Sequence, residues 1–382
     1  MAGYLYDELH VADYTITERE GPAKHRFFFV CVVVALVGFG LITLYSASYD
    51  EALRHGLSSH YYFLRQLLFA LVGFGAFILV RYIPQTWFRF LVPAFFILSV
   101  LLMLLTLFTP LGVSRLGAKR WLQIGPFPSF QPSELMKVSV ILLLAQLPAK
   151  RLWSMLIGIG IIALAALLIV WQRDYSTAML FLVTALAMLL AMGLSFYLIG
   201  IFSVTVAVPA GIFLFTEPYR IERLVSFLFP TIDPIGLNWQ VHNSLQAIRS
   251  GGIFGKGLGN GIYKLGIIPE VQSDFIFASL AEETGIFGVV IFFALFGAFA
   301  VLAFRSARVH ALMQHRFIAL SVFGITFMII WQALVHIAVV ASWLPPTGIP
   351  LPFFSQGGTN LFIILAECGL LFRWMGREES YG

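Results

Sequence analysis

The sequence predicts an all-α integral membrane protein, a bundle of about ten transmembrane helices with one large extracytoplasmic loop. Three observations predict it. Of the 382 residues, 59% are hydrophobic and only 11% are charged, against roughly 25% charged in a soluble domain. Apolar runs of about 20 residues, the length a helix needs to span a bilayer, recur along nearly the whole chain. These runs are continuous blocks and not alternating segments of about ten residues, which excludes a membrane β-barrel.

The chain begins with a polar tail, 1–26, that carries Asp7, Glu8, Glu18 and Glu20. No small-residue cleavage site follows it, so it reads as a cytoplasmic tail and not as a signal peptide. The membrane domain is expected over 27–375, with spans near 27–48, 63–82, 87–108, 134–149, 152–171, 177–193, 195–216, 275–304, 314–342 and 357–375. The run at 275–304 is long for one span and is expected to tilt or to extend beyond the lipid. A short tail, 376–382, closes the chain.

Lys24, His25 and Arg26 abut the first span while Asp50 and Glu51 follow it. The positive-inside rule then places the N terminus in the cytoplasm, and ten crossings return the C terminus there. Loops 49–62, 109–133, 172–176, 217–273 and 343–356 face outward in this scheme. The longest, 217–273, contains Trp239, Phe254 and Tyr263. Loops of that length are functional or disordered, and the aromatics argue against disorder.

Several function classes drop out. The net charge of +5 is scattered through membrane loops, without the clustered basic face that nucleic acid requires. Cys31 and Cys368 sit inside the first and last apolar runs, where a thiol packs as a small apolar group, so no disulfide or thiolate metal site is expected. There is no His-Glu-x-x-His, no Gly-x-Ser-x-Gly and no zinc spacing. His242, His310, His315 and His336 are isolated. No metal ligands are assigned, although dispersed carboxylates leave a divalent cation open.

Candidate chemistry lies in the outward loops. The first reads Gly117-Ala118-Lys119-Arg120-Trp121, then Phe130-Gln131-Pro132-Ser133-Glu134-Leu135-Met136-Lys137. Ser133 is suited to cap a helix, and Glu134 and Lys137, three apart, share a helix face and can pair. Asp174, in Gln172-Arg173-Asp174-Tyr175, reads first as a cap of the sixth span. The glycine-dense run from Gly251 to Gly261 fails both nucleotide fingerprints, because Lys256 is followed by Gly257 and no strand pattern precedes it. It leaves a pliant backbone and one lysine able to approach a phosphate. Asp274 stands at the start of the eighth span, with Glu282 about 12 Å further along by helix rise. It is either a helix cap or a general base at the membrane interface, where weak solvation suits a carboxylate to accept a proton. Four prolines between Pro345 and Pro352, followed by Ser355 and Gly357-Gly358, make a non-helical approach to the last span. Such backbone at membrane depth needs shelter by protein or a water-filled cavity.

Taken together, these landmarks resemble one family along almost the whole chain. Gly-Ala-Lys-Arg-Trp and Phe-Gln-Pro-Ser-Glu-Leu at 117–135, Gly-Gly-Ile-Phe-Gly-Lys-Gly at 251–257, Pro-Glu-x-x-x-Asp-Phe-Ile-Phe-Ala and Ala-Glu-Glu-Thr-Gly at 269–285, and Gly-Ile-Pro-Leu-Pro-Phe-Phe-Ser-x-Gly-Gly at 348–358 occur in order. The chain is similar to the SEDS family (shape, elongation, division and sporulation), the FtsW/RodA group of cell-wall polymerases. Pro218 to Arg223 and Gly257-Leu258-Gly259-Asn260 look closer to the division branch. Gln272-Ser273, Arg173 and Gln356 depart from the more usual pattern.

The resemblance implies a peptidoglycan glycosyltransferase that polymerises lipid II for septal wall synthesis, with Asp274 as the catalytic carboxylate and Glu134 and Lys137 shaping its cavity. Lys119, Arg120 and Lys256 are suited to the leaving pyrophosphate, and Asp174 and Ser355 join the expected substrate site. The implied partners are a class B penicillin-binding protein, the transpeptidase, and other division-complex membrane proteins. The implied location is the bacterial cytoplasmic membrane at the division septum. A lipid II flippase, an elongation-type polymerase and a noncatalytic scaffold are the alternatives. Intramembrane charges such as Glu282 serve as a relay in the first of these.

Overall fold

The structure, a computed structural model, describes residues 22–115, 118–126, 128–148, 151–193, 200 and 237–375. The expected span at 195–216, the branch motif from Pro218 to Arg223, Gly117 and the outer parts of both tails lie outside the described residues.

Among the described residues the chain forms ten α-helices: α1 Pro22–Arg54, α2 Tyr61–Val80, α3 Phe88–Phe108, α4 Pro132–Gln146, α5 Leu152–Trp171, α6 Tyr175–Ala191, α7 Leu237–Gly251, α8 Ile276–Leu312, α9 Arg316–Val340 and α10 Gly358–Met375. Lipid offers no hydrogen-bond partners, so the apolar runs satisfy their backbone internally as helices. Seven of them, α1, α2, α3, α5, α8, α9 and α10, are long and apolar enough to cross a membrane. Nine helices answer to nine of the ten expected spans, within a few residues at most ends. The tenth helix, α7, lies inside the long loop and was not foreseen.

The helices differ in how deeply they sit in the bundle. The lipid-facing α2 is 22% buried over its most apolar window, whereas α9 and α10 are 72% and 78% buried. The fifteen-residue α4 rises only about 22 Å and is buried on nearly every side. It therefore carries Ser133, Glu134, Lys137 and Ser139 inside the protein without presenting them to lipid. Its N-cap is Gln131 with Pro132 at the first position, which corrects the expectation that Ser133 is the cap; proline's missing N–H costs nothing there.

The long run at 275–304 does not simply tilt. Gly285 leaves the helical region at φ 65° and ψ −163°, so α8 consists of a short arm, 276–284, and a long arm, 286–312. The glycine run fills the break. The amides of Lys256 and Gly257 donate to the carbonyls of Glu282 and Glu283 at 3.0 Å each, and Ile286 and Phe287 donate to the carbonyls of Gly252 and Ile253 at 3.0 and 3.1 Å. A Cβ on Gly285 would strike the backbone nitrogen of Gly255, and one on Gly255 the carbonyl of Glu283. The glycines permit this backbone-on-backbone contact.

Between α3 and α4, strands β1 Gly112–Arg115 and β2 Ala118–Leu122 form an antiparallel hairpin, and Leu122 bridges on to Phe130. Between α9 and α10 the proline-rich loop turns back into the protein. Leu351, Phe353 and Phe354 are buried, with the Phe354 ring 5.2 Å from Phe292 and the Phe353 ring 5.9 Å from Phe299 of the long arm. This is the sheltered irregular backbone that membrane depth demands.

Candidate active site

Asp274 lies two residues before the short arm of α8, half-buried. The N-cap of that arm is Phe275, whose side chain makes no capping hydrogen bond. Its amide donates to the Glu270 carbonyl at 3.0 Å in a tight turn whose Glu270 takes a left-handed φ of 52°. The re-entrant loop forms the opposite wall. Ser355 Oγ donates to the Ser273 carbonyl at 2.5 Å and accepts from the Leu351 amide at 2.8 Å, while the Gln356 amide donates to the Gln272 carbonyl at 2.9 Å. Gly348 comes so close that a Cβ there would stand 3.5 Å from Asp274 Oδ2. Ser355 is 5% exposed, and its hydroxyl bonds two backbone groups that fix the turn beside Asp274.

Glu134 and Lys137 pair as their spacing implied, at 3.0 Å and almost fully buried. Asn360 Nδ2 donates to Glu134 Oε2 at 2.8 Å, and Lys137 Nζ donates to Gln332 Oε1 at 3.2 Å. Gln332 Nε2 donates to the Pro350 carbonyl at 2.9 Å, and the neighbouring His336 bonds the Ile349 carbonyl through Nδ1 at 2.8 Å. The pair thus reaches the Asp274 wall through α9 and the loop. Glu367, two turns along α10 from Asn360, is buried and neither of its oxygens is hydrogen-bonded.

The remaining expected site residues are mostly engaged in holding the frame. Lys119 Nζ donates to the carbonyls of Leu107 and Thr109 at 3.1 and 2.8 Å, closing the C-terminal end of α3. Asp174 caps α6 through the Thr177 amide, and also takes Gln131 Nε2 at 3.1 Å and Arg120 at 3.4 Å. Arg120 donates in addition to the Arg173 carbonyl at 2.6 Å. Lys256 pairs with Glu282 at 2.7 Å, and Glu282 further accepts from the amides of Ile262 and Tyr263 at 2.8 and 3.2 Å. Of the three cations expected at the pyrophosphate, Arg120 and Lys256 keep 34% and 27% of their side chains exposed, while Lys119 spends its ammonium on α3.

Sequence reasoning missed three groups. Glu283 is held by Lys264 Nζ at 2.5 Å, by Ser46 Oγ at 2.7 Å and by the Gly259 amide at 3.2 Å, tying α1, the glycine run and the short arm together. Glu270 has its carboxyl held above the usual range, first by lost hydration and then by the carboxylates of Asp274 and Glu51, with His55 opposing. Buried Asn360, Gln332 and Glu367 carry the polar network; a carboxylate in mid-span, as at Glu367, is itself a signal. No group of three His, Cys, Asp or Glu side chains among the described residues converges to hold a metal ion, and Asp274 with Glu270 supplies only two carboxylates.

The profile of the cell cycle protein family FtsW/RodA/SpoVE matches residues 26–379. The chain is a member of this family. Among the relatives of this FtsW/RodA/SpoVE member is the probable peptidoglycan glycosyltransferase FtsW of Borreliella burgdorferi, 34% identical over 353 residues, 91% of this chain and 95% of the relative. Another is the stage V sporulation protein E of Bacillus subtilis, 35% identical over 78% of this chain and 81% of the relative. The fold is similar to a structure described as structural coordination of polymerization and crosslinking by a peptidoglycan synthase complex, with a TM-score of 0.76 and 26% identity over 93% of this chain and 98% of that one. The family fold recurs in the rod shape determining protein RodA of Thermus thermophilus, TM-score 0.66, 24% identical over 93% and 97% of the two chains.

Proposed function

We propose that this chain is a peptidoglycan glycosyltransferase that polymerises lipid II into glycan strands, with Asp274 as general base. The observation that carries the reading is the placing of Asp274. Two separate segments, the Glu270 turn and the re-entrant loop, fix the backbone around it. The names of the FtsW relatives support the reaction class.

In the reaction Asp274 accepts the proton of the acceptor sugar's 4-hydroxyl. The hydroxyl oxygen attacks C1 of the donor sugar, the glycosidic bond forms, and the bond from C1 to undecaprenyl pyrophosphate breaks with its electrons on the leaving group. Arg120 and Lys256, both partly exposed, offer the positive charge that a departing pyrophosphate needs. Glu134 and Lys137 shape the cavity floor. No step is routed through a metal ion.

The partner is a crosslinking enzyme of the class B penicillin-binding protein type, supported by the similarity to a peptidoglycan synthase complex; further division-complex proteins complete the assembly. We place both termini in the cytoplasm, the Asp274 side outward, and the protein in the cytoplasmic membrane at the division septum. Purified lipid II supplied to the protein with its transpeptidase tests the reading: unaltered protein yields glycan chains and Asp274→Ala does not. Normal polymerisation by Asp274→Ala removes the assignment. Lipid scrambling in proteoliposomes without polymer points instead to a flippase, in which intramembrane charges such as Glu282 would serve as a relay.

A further inference from the structure

On the membrane face opposite Asp274, the end of α4 and the starts of α3 and α9 surround a cleft of about 420 Å³. Two arginines line it, Arg89 and Arg316, together with Gln85 and Gln146, and no acidic residue does among the described residues. Arg316 Nη1 donates to the Leu147 carbonyl at 2.8 Å. Its Nη2 is buried and has no hydrogen-bond partner, and the same holds for the side-chain oxygen of Gln85. Arg89 is exposed, its guanidinium 4.5 Å from the centre of the Phe90 ring. Gln146 is already engaged, donating to the Phe88 carbonyl at 2.7 Å. Phe88, Leu147, Pro148 and Phe317 supply an apolar side.

We propose that this cleft binds the headgroup of an anionic, hydroxyl-bearing glycerophospholipid, of the phosphatidylglycerol class, from the leaflet on that face. A buried guanidinium nitrogen without a partner is costly, and a phosphate oxygen satisfies it with a charge-assisted bond. The orphaned Gln85 oxygen calls for a hydroxyl donor beside that phosphate. Depth in the membrane agrees, because Tyr82, Trp87 and Trp153, all exposed, belong to the aromatic belt that marks the headgroup level. Basic pockets between helix ends at this level suit acidic headgroups. A free phosphate ion shares the anion chemistry but leaves the apolar side and Gln85 unused.

Native mass spectrometry of the full chain, released from detergent with phosphatidylglycerol or phosphatidylcholine, reads the site. The expected result is one retained phosphatidylglycerol bound roughly tenfold more weakly in Arg316→Gln and in Arg89→Gln, the loss of one charged contact. Arg151→Gln, an exposed cation on the same face outside the cleft, leaves binding unchanged. Among the described residues Arg89 makes no hydrogen bond to another helix, so its variant reports binding even if Arg316→Gln unfolds, and Arg316→Lys restores part of the affinity. Equal retention by both Gln variants, equal binding of phosphatidylcholine, or displacement of the lipid by millimolar inorganic phosphate would overturn the proposal.

Discussion

Ser355 Oγ lies 2.5 Å from the carbonyl of Ser273, the residue that precedes Asp274. The hydroxyl fastens the re-entrant loop to the turn that carries the carboxylate, and it also accepts the Leu351 amide. Ser355→Ala leaves that buried amide unpaired at a cost of about 1–3 kcal/mol and frees Asp274 from its opposite wall. Polymerisation is expected to fall roughly tenfold or more, as displaced catalytic groups do, with the loss in kcat and little change in KM for lipid II. A rise in KM at constant kcat would mean that Ser355 contacts substrate after all.

Asp274→Asn keeps the shape of the side chain and removes its basicity. Loss of a general base lowers rates on the order of 10²–10⁴-fold, so single-turnover polymerisation should slow by that range while lipid II binding persists. Retained activity within a factor of two would exclude proton abstraction at this position.

The carboxyl of Glu270 is raised by lost hydration and by Asp274 and Glu51. A carboxyl raised in the folded state favours folding in acid, and that contribution is lost as pH climbs from the ordinary carboxylate range through the raised value. Glu270→Gln should therefore flatten the decline of stability across this window. Interaction between the two carboxylates is mutual, so removing the Glu270 charge also makes the loss of a proton from Asp274 easier. The acid limb of the polymerisation profile should move to lower pH. An unmoved limb in Glu270→Gln would show that the two groups titrate independently.

Lys264 and Glu283 are 5% and 2% exposed. Removing one partner of such a pair strands a buried charge, at a cost of about 3–5 kcal/mol, whereas replacing both is far milder. Thermal unfolding in detergent should show Lys264→Met strongly destabilised and Lys264→Met with Glu283→Gln largely recovered. Additive losses in the double variant would place the energy elsewhere.

Lys137→Met breaks the bonds to Glu134 and Gln332 together. The freed Gln332 no longer holds its geometry at the Pro350 carbonyl, so both folding stability and activity should drop. Proteolysis or hydrogen exchange over 344–357 should rise relative to the unaltered protein, and an unchanged loop would detach Lys137 from the Asp274 wall.

Helix placement was legible in the sequence because lipid tolerates only long apolar helices there, and Glu134 with Lys137 was legible because helical spacing fixes which side chains meet. The rest depended on contacts distant in sequence. Nothing local marks Lys264 as the partner of Glu283, or Gln332 as the link from Lys137 to Pro350. The break in α8 was hidden because a single glycine within an apolar run is common, and only the glycine run some thirty residues earlier makes it a break. The backbone partners of Ser355 and Lys119 were hidden for one shared reason: a polar group in a loop suggests a ligand until a backbone carbonyl is seen to claim it.

The interruption at Gly285 also separates two mechanical worlds. The long arm of α8 is a rod immersed in lipid, and a rod answers changes in bilayer thickness by tilting. An unbroken ladder of hydrogen bonds would transmit that tilt to the start of the helix, where Asp274 waits. Here the ladder stops, and the short arm is clamped to the glycine run and to Ser46 of α1. The carboxylate is mounted ahead of the break, so a tilt of the shaft has no continuous helical ladder by which to reach it and must pass through side-chain packing instead.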